Sequence, residues 1–112
     1  MPFTRTFVEG TKRMLNKLRD EVEEWNRRNF PRWWGHELHP SLIANKVGEE
    51  AGEVLGEVTR LQEGRGSLDK LAEEVGDAVI SLASLCAALG VDMEKAVWDR
   101  WSGDVSQRTY GP

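Results

Sequence analysis

The chain has 112 residues, 15 basic against 19 acidic, for a formal net charge of −4. That length reads as one domain, 1–112, too small to cover its apolar surface alone, so a homodimer or homotetramer is expected, and the charge gives no reason to expect a nucleic acid polymer or an anionic membrane as partner. A single cysteine, Cys86, excludes an internal disulfide framework and reads as a small buried hydrophobe; with no run near the ~20 apolar residues of a bilayer span and no signal-peptide core, the expected location is cytoplasmic.

From about Thr4 to Arg28, Phe7, Met14, Leu15, Leu18, Val22 and Trp25 recur at three- and four-residue steps among charged residues, which predicts an amphipathic helix. Asn29 to His39 holds Pro31 and Gly35 around Trp33 and Trp34, with Pro40 following, and reads as an ordered aromatic loop. Its His36 and His39 lack the fixed helical register that a metal-binding pair needs. Arg27, Arg28 and Arg32 form a basic patch that suits either a triphosphate or plain solvation.

A second helix is predicted from Ser41 to about Glu63, burying Ile43, Val47, Ala51, Val54, Val58 and Leu61. Gly64, Arg65 and Gly66 break it, and Ser67 is placed to cap a third, Leu68 to Leu89, that Gly90 ends. Its expected buried stripe is Leu71, Val75, Ala78, Leu82, Leu85 and Leu89. Asp92 can cap a fourth helix, Met93 to about Ser102, in which Trp98 and Trp101 read as core; the tail from Gly103 has no period. With no alternating strand pattern, the fold class is all-α, a four-helix bundle type.

The second and third helices echo one another: Val47-Gly48-Glu49-Glu50-Ala51-Gly52-Glu53 against Leu71-Ala72-Glu73-Glu74-Val75-Gly76-Asp77. At about 100° per residue, Glu50 and Glu53, like Glu74 and Asp77, lie along one border of their helix's apolar stripe. Packed antiparallel, the two borders converge into four carboxylates, which persist at neutral pH only with protons or a cation to offset their repulsion. Hard oxygen ligands without cysteine or a spaced histidine pair select Mg²⁺, with Mn²⁺ as substitute. Gly52 and Gly76 each cost about 1 kcal/mol in a helix relative to alanine, which suggests a close approach of backbone or ligand there.

The run Glu49-Glu50-Ala51-Gly52-Glu53, followed after twenty residues by Glu74-Val75-Gly76-Asp77, resembles the EExxE…ExxD signature of the all-α nucleoside triphosphate pyrophosphohydrolases, the MazG and dimeric dUTPase/dCTPase group. Leu71 to Leu82, Leu89-Gly90-Val91-Asp92 and Trp25-Asn26-Arg27-Arg28-Asn29-Phe30-Pro31 are similar to segments of the same group, so the resemblance spans about residues 20 to 108. It implies a MazG-like fold and Mg²⁺-dependent hydrolysis of a (deoxy)nucleoside triphosphate to monophosphate and pyrophosphate, by metal-activated water attack at the α-phosphorus. It assigns the metal to Glu50, Glu53, Glu74 and Asp77. Glu49 would orient or deprotonate water, although its place on the helix points it away from the acid border.

The family's Lys, Asn and Arg that contact phosphate and sugar correspond here to Arg100, Asp104 and Arg108; Asp104 departs from the pattern by replacing amide donors with a charge. Trp25, Trp33 and Trp34 cluster where a base could stack or where they could close the bundle or fill a subunit interface, and the resemblance favours Trp25 and Trp34 for the base; Lys46 either contacts phosphate or pairs with Glu50 one turn on. Two rivals stand beside this reading: a non-catalytic nucleotide- or metal-binding regulatory module, which Asp104 favours, and a helical interaction module whose acids are only solvated. A ferritin-like di-iron bundle lacks its Glu-x-x-His pairs here.

Overall fold

Capping chemistry sets where the helices begin and end. In the computed structural model, which describes residues 5–36 and 39–109 with side chains from Arg13 onward, α1 spans Arg5–Asn29, α2 His39–Gln62, α3 Leu68–Leu89 and α4 Met93–Gly103, followed by a 3-10 turn, Val105–Gln107. Thr4, the Phe7 side chain and loop residues 37–38 lie outside the described residues. The all-α class expected from the sequence is what the chain adopts.

The Ser67 hydroxyl accepts the Lys70 backbone N–H at the start of α3, and Gly90, in the left-handed region at φ 68°, ends it by donating its own N–H to the Cys86 carbonyl. Asp92 caps α4 by accepting the Lys95 N–H. α2 starts two residues earlier than the sequence suggests, at His39, because Pro40 suits the first turn of a helix, where its missing N–H has no intrahelical partner to lose. Between α2 and α3 the chain turns tightly: Arg65 N–H returns to the Arg60 carbonyl at 3.0 Å, and a side chain on Gly66 would meet the Leu61 backbone nitrogen at 2.8 Å. That close approach brings α3 back along α2.

α3 is the central helix. α2 packs along one flank of it, α1 along another, and α4 rests on α1. The Asn26 side-chain amide of α1 donates to the Ser84 hydroxyl of α3 at 3.0 Å. Asn16 of α1 ties down the start of α4: its carbonyl oxygen accepts the Met93 and Glu94 N–H groups, and its amide donates to Asp92. Arg19 adds a bond to the Val91 carbonyl at 2.8 Å.

The apolar interior is thin. Among the described residues only Ala83 and Met93 are buried hydrophobics, and no large side chain is fully buried. Several expected apolar-face positions are therefore corrected: Met14 of α1, Ala51 and Val58 of α2, Val75, Leu82 and Leu89 of α3, and Trp101 of α4 are exposed. Leu15, Leu18 and Val22, Ile43, Val47, Val54 and Leu61, Leu71, Ala78 and Leu85, and Trp98 are half-buried. The physical reason lies in what sits at the α2–α3 seam: Glu50, Glu57, Glu74 and Ser81 are buried there, so polar groups occupy the line where a helical hairpin ordinarily puts leucine. Apolar residues a third of a turn away are left uncovered. No single helix among the described residues is long and apolar enough to cross a membrane.

Ser67→Ala should lower the unfolding free energy by about 1 kcal/mol through loss of the α3 cap. Gly66→Ala should lower it by about 1–3 kcal/mol, because an overpacked turn must shift backbone. Urea unfolding followed by circular dichroism measures both.

Candidate metal centre

The α2–α3 hairpin brings together acids 24 residues apart in sequence. Glu50 of α2 and Glu74 and Asp77 of α3 each offer an oxygen within 4.8 Å of the others, with both glutamates buried and Asp77 exposed. Glu53, the fourth expected ligand, is exposed and adjoins this triad through Glu74. That contact, together with repulsion from the Glu50 and Glu74 charges, holds the Glu53 carboxyl above its ordinary value of 4.5. The four acids thus share one edge of the hairpin, as the helical spacing predicts.

Cations approach this edge from outside. Lys46 Nζ lies 2.8 Å from Glu50 and 3.8 Å from Glu49, so of the two roles open to it from sequence it takes the ion pair here. The Glu50 contact and its acidic neighbours raise the Lys46 pKa above 10.5. Glu49 itself is exposed, turned toward Lys46 rather than the triad. Lys70 lies 3.6 Å from Glu74. One turn along α2, Arg60 pairs with buried Glu57 at 2.5 Å and holds that carboxyl below its ordinary value.

These pairings leave an electrostatic remainder. Glu50 Oε2 and Glu74 Oε2 are buried and accept no hydrogen bond. A buried carboxylate oxygen without a donor is strongly disfavoured unless it is protonated or meets a cation. Two of them, on facing helices and beside Asp77, fit a hard divalent ion of the Mg²⁺ type, which takes a few carboxylates and keeps open positions for other oxygen ligands.

Beside the triad runs a groove of about 600 Å³, and Glu50 and Asp77 form part of its wall. Trp25, Phe30, Trp33, Leu42, Ile43 and Ile80 supply apolar surface, and Asn26, His39, Lys46, Ser81 and Ser84 supply polar groups. The aromatic side is braced edge to face: Trp25 on Phe30 at 5.7 Å and Trp33 on His36 at 5.4 Å between ring centroids. Trp34 does not line this groove; its ring packs on His39 at 5.0 Å and under the Arg27 guanidinium at 5.0 Å. Burial, and then the neighbouring His36, push the His39 imidazole below 6.5.

Phe30, Asn26, Ser81 and Ser84 are groove residues that the sequence reading does not single out, and of the tryptophan cluster Trp33, not the favoured Trp34, lines the groove with Trp25. The two serines carried a legible signal: from Asp77 they continue along the same edge of α3 at steps of four and three residues. The density of tryptophan marks the cluster, but a loop has no register to tell Trp33 from Trp34. Arg100, Asp104 and Arg108 stand apart from the groove lining. Asp104 accepts from Arg100 at 2.8 Å and pairs with Arg108, so the three bind one another at the end of α4. A side chain added at Gly52 or Gly76 would meet nothing within 4 Å, so no close approach within the chain requires either glycine.

Compared with protein-family models, curated proteins and solved structures, the chain finds no match in any of the three.

Glu53 gives the pH dependence its sign. Its folded pKa is raised, so the metal-free protein gains stability from the proton on Glu53 below about pH 4.5 and loses that gain as pH rises through the folded value. The melting temperature without divalent ions, followed upward from pH 4.5, should carry this downward contribution, and Glu53→Gln should flatten it. Mg²⁺ or Mn²⁺ at pH 7.5 should raise the melting temperature of the wild type and leave that of a Glu50→Gln, Glu74→Gln double variant unmoved.

Proposed function

We propose that the chain is a Mg²⁺-dependent nucleoside triphosphate pyrophosphohydrolase, MazG-like in fold, that converts a (deoxy)nucleoside triphosphate to the monophosphate and pyrophosphate. The observation that carries this reading is the adjacency of the Glu50, Glu74 and Asp77 triad, with its two unpartnered buried oxygens, to a groove walled by Trp25, Trp33 and Phe30. Hard anionic ligands at one end and flat aromatic faces at the other match the two ends of a nucleotide.

Each side chain has a definable task in that reading. Glu50, Glu74 and Asp77 would hold the ion, with Glu53 as a further carboxylate at the rim. When bound, the ion supplies Lewis-acid polarisation of phosphate oxygens and lowers the pKa of water. Lys46, on the groove wall, would transfer part of its charge from Glu50 to a phosphate oxygen as substrate enters. Trp25 and Trp33 would stack on the base. Asn26 spends its amide donor on Ser84, which leaves its carbonyl oxygen and the Ser84 hydroxyl to meet the polar edge of the base. His39, held neutral to lower pH than usual, can donate to or accept from substrate without adding charge. Glu49 would reach the reaction only through Lys46 or water, since it faces away from the triad.

The second reading, a nucleotide- or metal-binding module without turnover, draws on Asp104. That carboxylate ties up Arg100 and Arg108, the two cations that the resemblance assigns to phosphate. Product analysis separates the two readings.

Incubation with Mg²⁺ and a panel of common NTPs and dNTPs should release pyrophosphate, not phosphate, from at least one of them. Glu50→Gln and Asp77→Asn should each reduce that release to background while keeping wild-type helicity. Full turnover in both variants would reject the site, and binding without product would favour the regulatory module. Trp25→Ala should raise KM about five- to 150-fold, the equivalent of the roughly 1–3 kcal/mol of a base–aromatic stack.

A further inference from the structure

A second cavity lies away from the carboxylate seam, between α1 and α4. It encloses about 630 Å³ and is walled by α1 from Arg13 to Glu24 and by α4 from its Asp92 cap to Asp99. None of the described residues on its wall lines the groove beside the metal centre. Glu94, 7% exposed, is the one buried member of this wall; Asn16 and Trp98 are half-buried, and the others are exposed.

Glu94 and Trp98 each carry an orphaned atom. Glu94 Oε1 accepts the Asn16 backbone N–H at 2.9 Å, but Oε2 is buried and accepts nothing. The Trp98 Nε1–H is buried and donates to nothing. Folded proteins pair almost all such groups, so both point to a partner that is not part of the described chain. The two residues are four apart on α4, which puts their Cβ atoms about 5–6 Å from each other, within the span of one small molecule.

Charge selects the kind of molecule. Six acids and three bases line the cavity. Lys95 is spent on Asp99, and Asp20 has Arg19, whereas Glu21 and Glu24 form no ion pair among the described residues. The acids are spread along the wall: among the described residues only Glu50, Glu74 and Asp77 bring three ligand atoms within 4.8 Å of one another, so this cavity does not gather its acids on a metal ion. A diffuse negative field around one buried acceptor suits an ammonium on a carbon frame. A bare alkylammonium has donors only and leaves the Trp98 N–H unmet, so an oxygen acceptor belongs beside the nitrogen. A water, at about 30 Å³, fills a small part of the space and offsets no charge.

We propose that the α1–α4 cavity binds a small amine that carries a hydroxyl or carbonyl oxygen a few bonds from its ammonium group, the chemistry shared by amino sugars and amino-acid amides. The ammonium meets Glu94 Oε2, with Glu21 and Glu24 adding to the field, and the oxygen accepts the Trp98 N–H. The volume falls in the roughly 300–1,000 Å³ range of small-molecule sites. Because both helices contribute to the wall, the ligand joins the same two elements that Asn16 joins.

Nuclear magnetic resonance of the isotope-labelled full chain, without metal or nucleotide, reads the site through the Trp98 indole N–H signal, which Trp98→Phe identifies by removing it. Glucosamine or L-alaninamide, at millimolar concentration, should shift that signal to saturation, and whichever binds tighter tells amino sugar from amino-acid amide. Putrescine, an amine without oxygen, and glucose, oxygen without an amine, should each bind at least about tenfold more weakly. Glu94→Gln, whose amide oxygen can still accept the Asn16 N–H, should weaken binding at least about tenfold, and Glu21→Gln, at an exposed position, should weaken it without disturbing the fold. The Glu50→Gln, Glu74→Gln double variant should bind like the wild type, which separates this site from the metal centre. No saturable shift with either amine, putrescine or glucose binding as tightly, or unchanged binding in both Glu94→Gln and Glu21→Gln overturns the site, whatever the pyrophosphate assays return.

Discussion

Two carboxylates held nine-tenths out of water on facing helices govern the rest of this structure. Glu50 and Glu74 occupy the line along which α2 and α3 meet, and each satisfies one oxygen with a neighbouring lysine while the other accepts nothing. Removing a charge from water is strongly unfavourable unless it is compensated. The seam therefore makes a weak core as it stands and a strong ligand set once a cation is supplied. The same choice displaces leucines and valines to the flanks of the hairpin, where Leu55, Leu68, Val75, Leu82 and Leu89 are exposed.

This arrangement reconciles the small buried interior with a regular helical sequence. A hairpin whose meeting line was apolar would be stable alone and have no use for an ion. Here Glu50, Glu57, Glu74 and Ser81 take that line, and the groove and the leucine flank lie to either side of it. The buried acids and the exposed leucines thus have one origin, the polar character of a single line of contact.

The sequence made the helices legible because their signals are local. Ser67, Gly90 and Asp92 act through their nearest neighbours, so α3 and the start of α4 fall where capping chemistry puts them. The acid pairs were equally legible as two pairs on one edge. What periodicity could not supply was which of two adjacent stripes faces the neighbouring helix: Val47 and Glu50, or Leu71 and Glu74, differ by only about 60°, and the pattern alone favours burying the apolar member. Trp33 and Trp34 show a second limit. They are adjacent in a loop without register, and only the folded turn puts Trp33 on the groove and Trp34 behind it against His39 and Arg27.

Asn16 has a consequence for how the chain assembles. α4 is 11 residues long, below the length at which a helix holds together by itself in water, and its first turn is closed from a distance of 76 to 78 residues by one asparagine of α1. The α2–α3 hairpin, by contrast, closes through a short loop. Contacts spanning most of the chain carry a larger loop-closure penalty than the short turn between α2 and α3, so the order of α4 is tied to the docking of α1. α1 and α4 are therefore coupled through one side chain, a clasp across the chain that the α2–α3 hairpin does not share.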